Sequence, residues 1–144
     1  MTISVQRLAA TTALLLLGVT ASARAQVETV TNVPFAFTAG DTALPQDHYR
    51  IAPMPGQLGV FMIRGQRHGA VIMSRIDRLA ADREASPSLT FYRYGDQYFL
   101  REVQLGDGRI LKLPETRSEK KAAEYVAAQN AGKSRVTVAS NSPK

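Results

Sequence analysis

The chain contains no cysteine, no tryptophan and only two histidines. Without cysteine it has no disulfide bond, no thiolate metal site and no cysteine nucleophile. Many small exported domains use disulfides to supplement a small core, so this chain must be stabilised by packing alone. The lack of tryptophan also removes the largest aromatic surface for stacking on a sugar.

The two histidines do not form a recognisable metal site. His48 and His68 are 20 residues apart, and neither belongs to a His-x-x-x-His pattern. A zinc site would need further ligands from aspartate or glutamate. We therefore expect both histidines to be exposed polar side chains, and we expect no metal and no other cofactor.

Catalytic motifs are also absent from the sequence. There is no Gly-x-Ser-x-Gly motif for acyl transfer and no glycine loop of the phosphate-binding kind. A small hydrolase with a site assembled from dispersed Asp, His and Ser side chains stays open as an alternative, because triads are recognised by geometry. Paired carboxylates across a cleft would be the glycosidase version of this alternative. The available carboxylates are Asp41, Asp47, Asp96, Glu102 and Asp107.

The longest uncharged apolar stretch is too short to span a membrane as a helix. It runs over 14 residues, from Leu8 to Ala21, whereas a spanning helix needs about 20. It follows Arg7 and precedes Ala23 and Ala25, the small residues at −3 and −1 of a signal-peptidase site. We therefore predict a cleavable signal peptide over 1–25 and an extracytoplasmic protein, in the periplasm or the medium, without a stable membrane anchor after cleavage.

The charge balance is moderately basic. Eighteen Lys and Arg against 12 Asp and Glu give a formal net charge of +6. Cleavage after residue 25 would remove Arg7, Arg24 and no acid, leaving 119 residues with a charge of +4. This is the size of one domain. The basic residues are scattered, so we expect no nucleic acid and instead an envelope or extracellular partner; weak attraction to anionic headgroups is compatible with the charge.

The middle of the chain has the pattern of a β domain. Short apolar runs alternate with Gly, Pro and Asp between residues 27 and 113. This spacing predicts a mainly β fold, an antiparallel sandwich or small barrel of about seven strands, in a single domain over 26–129. Segments 58–63 and 70–72 are apolar at successive positions. Such runs predict strands that are covered on both faces or lie centrally in a sheet.

The clearest local signal is an aromatic hairpin. Five of the ten aromatic residues fall within 91–99, around a Gly95-Asp96 turn. Glycine at the first central position fits a two-residue hairpin turn, and this register pairs Tyr92 with Phe99. Cross-strand aromatic pairs of this kind stabilise a hairpin by roughly 0.2–1 kcal/mol each.

Alternation sends the rings of this hairpin to both of its faces. At least one or two of them should lie away from the core, and Tyr94 and Tyr98 are the candidates for an exposed binding surface. Such a surface could stack on a sugar or on a partner protein. The alternative is a well-packed hairpin with its tyrosine hydroxyls at the rim, because strands favour aromatic residues in any case.

The C-terminal part changes to a helical pattern. Thr116 and Glu119 form a capping box, which predicts a helix over 117–129 that ends before Gly132. Residues 130–144 are rich in Ser, Asn, Ala and Lys and are interpreted as a flexible, solvated tail. A short final strand around Val136 is the alternative.

Three stretches in this order resemble a group of small exported bacterial proteins. They are Val33-Pro34-Phe35 with Gly40-Asp41 and Leu44-Pro45 up to Tyr49-Arg50, the hairpin 92–100, and Leu113-Pro114 through Ser118-Glu119. The resemblance covers residues 30 to 121, and the aromatic hairpin is its most specific part. It implies export and a β domain with a C-terminal helix. It implies no activity and no functional residues.

Together these observations predict a non-catalytic exported domain that binds a partner or ligand through its β surface. The small hydrolase described above is one alternative. A small barrel that carries an apolar ligand is another, and it requires an interior cavity.

The signal-peptide prediction has a direct test. The mature protein should begin at Gln26, because cleavage follows Ala25. Intact-mass measurement of the protein recovered from its native host decides this. An uncleaved chain that starts at Met1 in the membrane fraction would contradict it.

Overall fold

A computed structural model describes residues 28–77 and 86–140, and over these residues the chain is mainly β with one helix near its C-terminal end. The predicted fold class is therefore confirmed. The predicted signal peptide, including Ala23 and Ala25, lies outside the described residues. In chain order the elements are β1 (Thr29–Val33), β2 (Phe37–Ala39), β3 (Thr42–Leu44), β4 (Asp47–Pro53), β5 (Val60–Arg64), β6 (Gly69–Met73), β7 (Arg75–Asp77), β8 (Ser88–Tyr94), β9 (Gln97–Gln104), β10 (Ile110–Lys112), α1 (Arg117–Ala128) and β11 (Ser134–Ala139).

The strands form two sheets. The smaller sheet has the order β1-β4-β5-β6. The larger has the order β11-β8-β9-β10-β7, and β2 joins it by pairing with β3 and with β9. Every strand pair is antiparallel except β2 with β9. The described chain has more strands than the seven or so expected, and four of them, β2, β3, β7 and β10, are only three residues long.

Aromatic rings join the two sheets at the centre of the molecule. Phe37 lies edge-on to Tyr49 of β4 and to Phe91 of β8, with ring centroids 5.2 Å apart in both pairs. Phe35 contacts Phe91 edge-on at 5.1 Å. Edge-to-face contacts of this kind add roughly 0.5–1.5 kcal/mol each to the burial of the rings. This layer is the core on which both sheets pack.

The smaller sheet buries only one of its faces. Along β6 the exposure alternates strictly, with Ala70 and Ile72 buried while Val71 and Met73 are exposed. In β5, Phe61 and Ile63 point to the core. The two segments were expected to be covered on both faces or central in the sheet. β5 is central, between β4 and β6, but β6 lies at the edge with one face exposed, so the prediction was wrong for segment 70–72. The apolar side chains between the buried positions face solvent.

The aromatic hairpin has the predicted register. Tyr92 pairs with Phe99 and Phe91 with Leu100. Gly95 has a φ of 59°, a left-handed conformation that glycine adopts without the steric penalty of a Cβ atom. The turn prediction and the pairing prediction are therefore confirmed.

Helix α1 begins and ends close to the predicted residues. The Thr116 hydroxyl accepts a hydrogen bond from the Glu119 backbone N–H at 3.2 Å, which caps the first turn. Ala122 and Val126 then pack against Tyr94 and Phe99 of the hairpin in a second, smaller core. The larger sheet thus carries the central core on one face and α1 on part of the other.

The segment after the helix differs from the predicted flexible tail. Ser134–Ala139 forms β11, which pairs with β8 along its whole length. Val136 and Val138 pack against the central core, and these two side chains give the strand its inward face. The alternative of a short strand around Val136 is therefore the correct description of this segment, and residues 141–144 lie outside the described part.

Candidate binding surfaces

Tyr94, the first of the two predicted binding residues, is a core residue. Its side chain is only 5% exposed and belongs to the second core, where its ring meets Phe99 edge-on at 5.9 Å. The prediction of an exposed Tyr94 was wrong because α1, which is distant in sequence, covers this face of the hairpin. The rings on this side of the sheet serve helix docking.

Tyr94 also anchors a buried polar contact. Its hydroxyl donates to Glu119 Oε1 at 3.3 Å, and Arg101 Nη1 donates to Glu119 Oε2 at 2.9 Å. Glu119 is 2% exposed, whereas the Arg101 side chain keeps 22% of its surface in solvent. Burial, followed by the negative charge of Glu119, raises the pKa of Tyr94 to about 12. This carboxylate fixes the first turn of α1 to the sheet, and the contact is structural.

A β-bulge directs Arg101 toward that carboxylate. The pairing of β8 with β9 shifts between Thr90 and Phe91, so that Arg101 has no direct partner across the pair. Its carbonyl instead accepts a hydrogen bond from the Leu113 backbone N–H at 2.8 Å. Bulges redirect a side chain in this way. The sequence pattern did not predict this bulge.

Tyr98, the second predicted binding residue, is half-buried. Its ring stacks on Phe35 with centroids 4.0 Å apart and an angle of 18° between the planes. The guanidinium of Arg93 lies 5.5 Å from the centre of the same ring. Tyr98 therefore covers the rim of the central core, in line with the well-packed alternative.

Two further tyrosines, Tyr92 and Tyr125, were not predicted to form a binding surface. Lys133 Nζ lies 3.5 Å from the centroid of the half-buried Tyr92 ring, and Arg101 and Arg135 are within 6 Å of it. These cations cover the ring and leave no free aromatic platform there. Tyr125 is 66% exposed on α1, beside a groove of about 570 Å³ between the helix and the hairpin turn.

Three of the carboxylates considered for hydrolysis make local contacts: Asp96 with Arg93, Asp107 with Arg109, and Asp47 with two backbone N–H groups. Asp47 accepts hydrogen bonds from the backbone N–H groups of His48 and Gln66, at 2.7 and 2.8 Å. The bond from Gln66 is the main cause that lowers the pKa of Asp47. Its carboxylate thus holds the β5–β6 loop against β4. His48 and His68 are both exposed, as the sequence predicted.

The loop held by Asp47 requires a glycine. A Cβ atom on Gly65 would lie 2.7 Å from the Asp47 carboxylate and 2.8 Å from the Tyr49 ring. Neither group can move freely, because Tyr49 is fully buried and its hydroxyl donates to the Pro45 carbonyl at 2.6 Å. The close approach fixes where the rest of the loop, including Arg67, leaves the sheet.

The most unusual surface is the solvent side of the smaller sheet, here called the outer face. Large apolar side chains are well exposed on or beside it: Leu58 at 96%, Met73 at 74% and Val71 at 57%. Cross-strand pairing places Met62 opposite Val71 and Val60 opposite Met73. Contiguous exposed apolar side chains mark interaction sites on soluble proteins. These five residues are called the apolar end of the outer face.

Basic side chains occupy the other end of the same face. Arg50 and Arg64 are direct cross-strand partners and are both exposed. Like charges placed opposite each other destabilise a sheet. Glu28 relieves part of this repulsion, because its carboxylate lies 2.9 Å from Arg50 Nε. With the exposed Arg67 of the adjoining loop, these arginines are called the basic end.

Comparison with protein-family models, curated proteins and solved structures found no match to this chain. Within residues 28–77 and 86–140, no group of three or more metal-ligating side chains is gathered in one place. The helix in this part of the chain is too short and too polar to span a membrane.

The Tyr94 contact predicts a pH dependence of stability. Its pKa is about 12 in the folded protein against an ordinary value of 10.0. The unfolded chain therefore loses this proton first, and stabilisation that is complete below pH 10 is lost as the pH rises through about 12. Tyr94→Phe should remove this component of the decline in the free energy of unfolding, measured with urea at increasing pH. Tyr125→Phe, on the exposed ring, is the matched control. Equal pH dependence of wild type and Tyr94→Phe would contradict the assignment.

Proposed function

We propose that this protein is a non-catalytic binding domain that acts outside the cytoplasm and engages its partner through the outer face of the smaller sheet. The observation that carries the proposal is the exposure of Leu58, Val71 and Met73 beside a group of arginines. The apolar stretch and the Ala23 and Ala25 site support export.

The apolar end is better explained by binding than by folding. Val71 and Met73 alternate with Ala70 and Ile72, which already supply the buried contacts of β6. Polar residues at the outward positions would be equally compatible with this strand, since antiparallel sheets commonly present a polar face to water. Exposed apolar surface that does nothing for folding is kept at interaction sites.

The two alternative functions have less support. A hydrolase needs convergent titratable groups in a cleft. In the described chain Glu119 fixes a helix and Asp47 fixes a loop, while Asp96 and Asp107 contact arginines close to them in sequence. A carrier of an apolar ligand needs interior space, and the rings of Phe37, Tyr49 and Phe91 meet at the centre between the sheets.

Photocrosslinking in the native host tests the proposed surface. A photoreactive phenylalanine analogue is placed at Leu58 or at Met73, and as a control at Tyr125 on α1, which is similarly exposed. We expect adducts of protein or lipid from positions 58 and 73 in the envelope or medium, and several-fold less adduct from position 125. These exposed positions tolerate the replacement because surface changes alter stability by about 0.5 kcal/mol or less.

Two outcomes would contradict the proposal. Adducts at equal levels from all three positions would show non-specific contact. Adducts from position 125 alone would place the binding surface at the groove beside α1.

A further inference from the structure

We infer that the partner of the outer face is an anionic membrane surface, on which the protein lies with its apolar end in the headgroup region and its basic end at the phosphates. This inference rests on the proposed function, since it uses the same face. It requires no spanning segment and no hydrolytic step.

The two ends of the outer face are ordered along the strands. Arg50 and Arg64 form one cross-strand row, Met62 and Val71 form the next of these rows along β5, and Val60 and Met73 form the third. The side chains therefore change from basic to apolar in one direction. The face therefore offers both contributions on which interfacial binding depends, apolar area to bury and attraction to anionic lipids.

The dimensions of this gradient match the membrane interface. Alternate residues of a strand are about 7 Å apart, so the row of Arg64 and the row of Val60 are separated by about 13 Å. Interfacial segments insert their apolar part roughly 5–10 Å into the boundary between headgroups and acyl chains. Arg64 Nη2 donates to Met62 Sδ at 3.0 Å, so its guanidinium lies beside the second row, about 7 Å from the row of Val60 and Met73. Those two side chains can therefore reach that depth while the Arg64 guanidinium stays at the phosphates.

The charge of the face favours an anionic rather than a neutral surface. The four strands of the smaller sheet contain one acidic residue, Asp47, whose carboxylate is engaged by two backbone N–H groups. Glu28, just before β1, is engaged by Arg50. Arg64 and Arg67 are both exposed.

Opposed arginines give a physical reason for an anionic partner. Arg50 and Arg64 repel each other across the strand pair, and Glu28 contacts only Arg50. A depression of about 250 Å³ is lined by these two arginines, by Met62 and by Glu28, whose carboxylate is already engaged by Arg50. A lipid phosphate placed there would offset the repulsion that the sheet otherwise retains, and guanidinium groups bind phosphate through two parallel hydrogen bonds.

The exposed surface around Tyr125 lacks these properties. Tyr125 is a single ring on α1, and the neighbouring Lys121 and Glu124 have opposite charges. It offers no contiguous apolar area, because Tyr125 is the one large apolar side chain that is well exposed on α1. It therefore serves as a matched control for both contributions.

Vesicle cosedimentation tests the inference. The protein as its host releases it is mixed with vesicles of phosphatidylcholine alone or with added phosphatidylglycerol. We expect binding to the anionic vesicles that falls as salt is raised. Leu58→Ser and Met73→Ser should each weaken partitioning by about tenfold, and Arg64→Gln and Arg67→Gln by about fivefold each. Tyr125→Ser and Lys121→Gln should leave it unchanged, and circular dichroism checks that each variant is folded.

The remaining outcomes overturn the inference. Equal binding to neutral and anionic vesicles would show that the arginines do not contribute to binding. If the Tyr125 and Lys121 controls lost as much vesicle binding as the outer-face variants, the outer face would not be the binding surface. Failure to bind vesicles, with crosslinks still formed from positions 58 and 73 to a protein, would exclude the lipid surface and leave the proposed function standing.

Discussion

The ring contacts between the two sheets are the interaction on which the rest of the structure depends. Tyr49 of the smaller sheet and Phe91 of the larger sheet both meet Phe37 at 5.2 Å. With no cysteine in the chain, no covalent bond supplements this layer. Each sheet must therefore direct one face inward, and strict alternation of side chains then decides what the opposite face presents.

The outward faces of the two sheets differ in what packs on them. On the larger sheet, α1 covers the rings of Tyr94 and Phe99, and the Arg101–Glu119 ion pair fixes the helix there. On the smaller sheet, the outward side chains of β5 and β6 face solvent although many are apolar. No element within residues 28–77 and 86–140 covers this apolar face, and arginines that oppose each other lie next to it. These two features are the basis on which we propose a binding role for this sheet.

Local signals predicted the elements, but not what covers them. The hairpin register followed from the position of Gly95 and from alternation, and α1 followed from the Thr116 cap. Tyr94 was predicted to be exposed but is buried. Alternation shows which residues share a face of the hairpin, but not that a helix distant in sequence covers that face.

The outer face was missed for a related reason. An uninterrupted apolar run such as 70–72 has the same pattern whether both faces are buried or one apolar face is exposed. Only the number of layers packed on the sheet distinguishes the two cases. Similarly, Val136 and Val138 were too few to separate a strand from a tail, since β11 depends on pairing with β8 for its stability.

The most direct test is whether the apolar end contributes to stability. Urea unfolding should compare the wild type with a combined Leu58→Ser, Val71→Thr and Met73→Ser variant, and with Ile72→Ala, which is 2% exposed on the same strand. The account predicts changes of about 0.5 kcal/mol or less for each outer substitution and a loss of roughly 2–5 kcal/mol for Ile72→Ala. A loss in the combined variant as large as that of Ile72→Ala would contradict it, because the outer side chains would then be part of the core.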